Sequence, residues 1–220
     1  MRWQRNPFAW SAPALAVIVA LGGASMVRAQ EATPGMIDVR LVEVIVQDVD
    51  GNDVGSVTFL EDDVTSFVTV TVEIAGLPDG EHGIHVHETG SCDPAGDEPF
   101  ASAGGHFNPT GDSHGPPPAI PLPGSPVAAT ASPVTGTGHA GDLGNISVGA
   151  DGIGRFVIAT DRFTLSPGPA SLQDVDGSAL VIHADPDDLT TDPSGESGAR
   201  IACGVVFPSA AGTSVATPVA

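Results

Sequence analysis

Val68-Thr69-Val70-Thr71-Val72-Glu73-Ile74 alternates β-branched apolar residues with polar ones at a period of two. Successive side chains of a strand point to opposite faces, so this stretch describes a half-buried antiparallel strand with one face in a core. Val42, Val44 and Val46 alternate in the same way with Glu43, Ile45 and Gln47. Shorter runs of the same kind cover residues 54–61, 83–87, 145–148, 154–160, 179–183 and 200–207, and Asp50-Gly51, Pro78-Asp79-Gly80 and Asp151-Gly152 supply turns between several of them. Eight short strands with no helical stretch predict an all-β sandwich or barrel.

Composition agrees and excludes some functions. The 220 residues are 41% hydrophobic but only 5% aromatic, with 28 Gly and 20 Pro, which suits short strands joined by many turns. The chain carries 27 acids against seven basic residues, all arginine, for a formal charge of −20. A surface so acidic argues against nucleic acid or an anionic membrane as a partner, because phosphate binding needs clustered cations.

Residues 1–29 read as an export signal: Arg2 and Arg5, an apolar run over 12–23, then small residues up to Ala29. The run is too short to span a bilayer. Cleavage would leave four arginines against 27 acids, a charge of −23, on a protein that is periplasmic, wall-associated or extracellular. In such an oxidising compartment the only two cysteines, Cys92 and Cys203, are expected to pair. The domain itself is expected over 30–208. Within it residues 88–114 read as a long ordered loop, and residues 115–138, with seven prolines and no charge, as a flexible or polyproline-like insertion. Residues 209–220 read as a disordered tail.

The chain has seven histidines: His82, His85, His87, His106, His114, His139 and His183. His85 and His87 are two apart on a strand, so their rings share a face and can reach one ion. His106 and His114 lie in the long loop, His139 stands three residues before Asp142, and His183 ends a strand. Imidazole suits copper and zinc, and a carboxylate oxygen can complete a tetrahedral zinc site. Spacing alone does not apportion the ligands between two ions.

Gly83-Ile84-His85-Val86-His87-Glu88, Gly105-His106-Phe107-Asn108-Pro109, His139-Ala140-Gly141-Asp142-Leu143-Gly144-Asn145 and Gly198-Ala199-Arg200-Ile201-Ala202-Cys203-Gly204 resemble, in order, the motif blocks of the copper/zinc superoxide dismutase family. The resemblance covers residues 36–207 apart from the proline-rich insertion. It implies an eight-stranded Greek-key β-barrel, an immunoglobulin-like sandwich with long metal-binding loops. Copper would be held by His85, His87, His106 and His183, and zinc by His106, His114, His139 and Asp142, with His106 shared. Asp187 would link the far nitrogens of His85 and His114. Cys92 and Cys203 would form the family's disulfide, and His82 would be a packing residue.

The implied reaction turns superoxide into dioxygen and hydrogen peroxide by copper redox cycling around a structural zinc, with Arg200 holding the anion and His106 passing a proton to the product. The state would be a monomer or a homodimer. Two departures from the family pattern stand out. Twenty-four residues separate His114 from His139, and residues 184–199 contain five acids and no cation where relatives carry balanced or basic charge. A slower encounter with the anion and a weak or inverted salt dependence are therefore expected. Two other classes compete with the dismutase: a non-catalytic exported copper/zinc-binding domain, and a structural or adhesive β-domain, which would leave the histidines unexplained.

Overall fold

The computed structural model describes residues 40–118 and 137–210. Eight strands occur there in chain order: β1 (Arg40–Asp48), β2 (Asp53–Glu61), β3 (Val68–Ala75), β4 (Gly80–His87), β5 (Asp142–Val148), β6 (Ile153–Thr160), β7 (Ser178–His183) and β8 (Arg200–Phe207). They close into an antiparallel barrel in the order β1-β2-β3-β6-β5-β4-β7-β8. β3 thus pairs with β6, and β4 with both β5 and β7, which is the Greek-key crossing pattern. Closure comes from Gln47 and Asp48 of β1 facing Cys203 and Ala202 of β8.

The period-two reading of β3 holds at the level of burial. Val68, Val70, Val72 and Ile74 are buried, while Thr69 and Thr71 are half-buried and Glu73 is exposed. Their buried faces join Val44 and Val46 of β1, Val57 and Phe59 of β2, and Ile84 and Val86 of β4 in one continuous core. The strands that carry histidines differ from this pattern. β4 is buried from His82 through His87 and β7 along its whole length, because one face packs into the core while the other lies under the long loops.

Boundaries move in two instructive places. β4 begins at Gly80, three residues before the apolar run that announced it, and β5 begins at Asp142 rather than Asn145. Backbone pairing between these two strands, from Gly80↔Val148 to His85↔Asp142, carries residues of low strand propensity into the sheet. A short 3₁₀ turn, Ala101–Ala103, interrupts the 88–114 loop.

The export-signal reading of 1–29 lies outside the described residues, as do the middle of the insertion and positions 211–220. The first two residues of the expected tail are described: the N–H groups of Ser209 and Ala210 donate to Gly90 and Val175 carbonyls.

Candidate metal centre

The strand pairing that builds the barrel also aims the candidate ligands. The register slips by one residue between Ile84 and His85 against β5, and again between Ile182 and His183 against β8. Such bulges redirect the following side chain. Both occur directly before a histidine of the first expected cluster. His106 reaches the same place from the 88–114 loop through a single bridge to His87. The loop can come this close because Gly141, which bonds Val86 and Phe107, has no side chain: a Cβ there would lie 2.1 Å from the Val86 carbonyl oxygen.

Seven residues then form two groups sharing His106. His85, His87, His106 and His183 place one ligand atom each within 4.8 Å of one another, and His106, His114, His139 and Asp142 do the same; all are buried. His85 and His106 stack with ring centroids 3.9 Å apart.

The hydrogen bonds sort the nitrogens. His87 Nδ1 donates to the Gly104 carbonyl at 3.0 Å and His183 Nδ1 to that of Gly198 at 3.2 Å. His85 Nε2 lies 2.8 Å from Asp187 Oδ2. Within the first group, what remains buried and without a hydrogen-bond partner is one atom from each member: His85 Nδ1, His87 Nε2, His106 Nε2 and His183 Nε2. Buried polar atoms are nearly always satisfied. Four orphaned imidazole nitrogens converging on one point make a donor set for a borderline-soft cation such as copper.

In the second group Asp142 Oδ1 lies 2.8, 3.1 and 3.3 Å from the Nδ1 atoms of His106, His114 and His139. Three imidazoles and one carboxylate oxygen are the ligands of a closed tetrahedral zinc site. His114 Nε2 meets Asp187 Oδ1 at 2.9 Å, so the Asp187 carboxylate spans the two groups, His85 on one oxygen and His114 on the other. Asn145 holds Asp187 in turn: its Oδ1 accepts from the Asp187 N–H at 2.7 Å, and its Nδ2 donates to the Asp187 carbonyl. Gly195, at φ +65, leaves room for this bridge, since a Cβ there would fall 1.8 Å from Asp187 Oδ1.

His82 stands apart, its ring nitrogens 2.8 and 2.9 Å from the carbonyl oxygens of His183 and Pro78. Arg200 opens β8 opposite His183. Its Nη1 and Nη2 each donate, at 2.6 Å, to Phe100 and Gly104 carbonyls of the loop that carries His106. Cys92 of this loop is disulfide-bonded to Cys203 of β8, with 5.7 Å between Cα atoms. The site therefore assembles every expected residue. Sequence reading gave no role to Asn145, although it closes the His139–Asn145 motif block, and none to Arg162.

Burial lowers His106 to about 4 and His183 to about 3, and holds His87 well below the usual imidazole range. Burial also lowers His85, against the opposing pull of Asp187. These imidazoles are neutral near pH 7, the form that binds metal. His114 goes the other way: burial would lower it, but its bonds to Asp142 and Asp187 prevail and raise it to about 10. The same contacts hold both carboxyls below the ordinary range although burial would raise them.

For the metal-free protein the linkage has a definite sign. An unfolded histidine titrates near about 6.5, so between that value and the lowered folded values the unfolded chain binds more protons, and stability falls on acidification. Between about 6.5 and the raised value of His114 the folded chain binds more, and stability falls as pH rises. The chain has neither lysine nor tyrosine, so neither of these titrates along the alkaline limb. The melting temperature of metal-free protein is expected to peak near pH 6.5 and decline on both sides; a melt unchanged between pH 7 and 9.5 would contradict the His114 assignment.

Comparison with known proteins places these residues in context. Residues 54–206 match the family model described as copper/zinc superoxide dismutase. A superoxide dismutase (Cu-Zn) of Deinococcus radiodurans is 42% identical over 141 residues, 62% of this chain and 68% of that protein. A double mutant of a SOD-like protein from Bacillus subtilis superposes with a TM-score of 0.61 at 36% identity, over 75% of this chain and 96% of that one. The Cu/Zn superoxide dismutase of Brucella abortus gives 0.57 at 27% identity, over 76% and 99%.

Proposed function

Because the chain belongs to the copper/zinc superoxide dismutase family, we propose that it disproportionates superoxide, two anions and two protons giving dioxygen and hydrogen peroxide. The observation that carries this reading is the convergence of four orphaned buried imidazole nitrogens behind a fixed guanidinium. Copper and zinc are the ions the family implies, and the two clusters are able to hold them. Copper held by His85, His87, His106 and His183 would supply the one-electron exchange, while zinc held by His106, His114, His139 and Asp142 has no redox chemistry and would shape the site.

The protein's own residues do the rest. Arg200 meets the anion: its guanidinium is always charged, and the carbonyls of Phe100 and Gly104 fix its plane. Asp187 sets the tautomer and orientation of both His85 and His114. His106 Nε2 is the atom at which a proton is held and passed to the product; its ring is already fixed through Nδ1 at Asp142. The disulfide, which forms in oxidising compartments, supports reading the chain as exported.

Charge around the mouth sets the encounter rate. Asp185, Asp188, Asp192 and Glu196 are exposed in the segment before Arg200, and the negative charge of Glu98 also acts on its guanidinium. An approaching anion is repelled until it nears Arg200 and the bound metal ions. With copper-loaded protein, the rate of superoxide removal is expected to hold steady or rise as salt goes from about 0.01 to 0.15 M, where the screening length shrinks from roughly 30 to 8 Å. Arg200→Ala should lower the rate roughly tenfold or more, the loss of one charge-assisted hydrogen bond. A steep fall with salt would overturn the repulsive mouth. A copper-loaded protein with no activity that chelator removes would instead favour the second reading, a non-catalytic copper/zinc-binding domain, which the likeness to SOD-like proteins of Bacillus subtilis supports.

A further inference from the structure

The proline-rich stretch between His114 and His139 separates two members of the second cluster, yet both rings reach the same carboxylate. The described ends of that stretch show how. Gly115 and Gly138 lie side by side: a Cβ on Gly115 would fall 2.9 Å from the Thr137 carbonyl oxygen and 3.2 Å from the Gly138 Cα. Asp142 serves both ends. Its Oδ1 faces the three ring nitrogens, and its Oδ2 accepts from the N–H groups of Gly115 at 3.1 Å and His139 at 2.8 Å.

Arg162, two residues beyond β6, also joins the two ends. Its Nη1 donates to the Pro116 carbonyl at 3.1 Å and to the His139 carbonyl at 3.4 Å, one acceptor on each side of the neck. The guanidinium is half-buried, and its charge is attracted by Asp142, Asp161 and Asp112. Gly138 leaves the space it needs, since a Cβ there would lie 2.9 Å from Nη1 and 3.0 Å from Asp142 Oδ2.

We propose that Arg162 is a positioning residue for the zinc cluster: by bridging the two ends of the insertion it closes the neck and holds His114 and His139 at the spacing that Asp142 requires. The proposal rests on reading the second cluster as the zinc site. Asp142 also joins the two ends, through the N–H groups of Gly115 and His139, but its carboxylate must face the metal as well. Arginine suits this place because its wide planar head reaches two carbonyls and stays charged when partly desolvated.

The test uses the full-length protein stripped of metal, with zinc affinity measured by competition against a chromogenic chelator and the geometry of the site read from the visible spectrum of cobalt bound in place of zinc. Arg162→Ala is expected to weaken zinc roughly tenfold or more, as loss of outer partners of a metal site does, and to change the cobalt spectrum while copper affinity stays within about twofold. Arg162→Lys should restore part of the affinity, and Gly138→Ala, which crowds the same guanidinium, should reproduce the altered spectrum. Arg162→Ala with wild-type zinc affinity, or with weakened zinc but an unaltered cobalt spectrum, would overturn the proposal. A parallel loss of copper would do so as well, by marking a general effect on the fold. If Arg162→Ala fails to fold, Arg162→Lys and Gly138→Ala decide by the same criteria. Failure of wild-type protein to take up zinc would defeat the reading of the cluster itself and the proposal with it, an outcome distinct from equal uptake by wild type and variants.

Discussion

His183→Ala is expected to lower superoxide removal by more than about 100-fold, because partners outside a metal's ligands already cost 10–100-fold and this residue would contribute a ligand nitrogen itself. His183 ends β7, is 3% exposed, and presents Nε2 to the cluster with Nδ1 fixed on the Gly198 carbonyl. Truncation removes one of four converging nitrogens and leaves the strand's pairing with β8 in place. The variant should therefore keep its disulfide and its zinc content while losing tight copper binding. Activity within a fewfold of wild type at equal copper loading would remove His183 from the ligand set.

The second large effect belongs to the disulfide. Replacing Cys92 and Cys203 together by serine is expected to cost about 4–5 kcal/mol of stability in the chain-entropy model, since the bond closes a loop of more than 100 residues. That is a large part of a typical domain's total of 5–15 kcal/mol, and corresponds to a fall in melting temperature of roughly 10–20 °C. The functional consequence follows from position. Cys203 lies three residues after Arg200, and Cys92 packs against a small cluster of Phe100, Ala103, Ala179 and Val181. Phe100 and Gly104 supply the two carbonyls that hold the guanidinium. The reduced protein should therefore lose rate per bound copper as well as stability. A variant that melts within about 2 °C of wild type, or that keeps its full rate per copper, would show that the loop holds its place without the bond.

Much of this could be read in the chain, for reasons that differ by residue. β3 was legible because one of its faces meets water and the other the core, so polarity alternates. β4 and β7 are buried on both faces near the site, and there the histidines themselves were the signal. Two adjacent bulges, before His85 and before His183, leave no local mark in composition, because they arise from how partner strands register. The division of ring nitrogens likewise depended on carbonyls and carboxylates far away in sequence: His85 keeps Nδ1 free because Asp187, 102 residues on, takes Nε2. Arg162 was invisible for the same reason. It lies after a strand with no motif around it, and gains its place only when the barrel brings it beside Pro116 and His139. The acidity that first excluded polyanionic partners also gained a location: exposed acids line the segment that leads to Arg200.

The most direct measurement is a copper titration of metal-free protein at saturating zinc, with superoxide removal followed at each addition. Activity is expected to rise linearly and break sharply at one copper per chain, and the His183→Ala variant should show no such rise. A wild-type protein that binds one copper and remains inactive, or whose activity keeps climbing well past one copper, would contradict the assignment of the four-histidine cluster as the seat of the reaction.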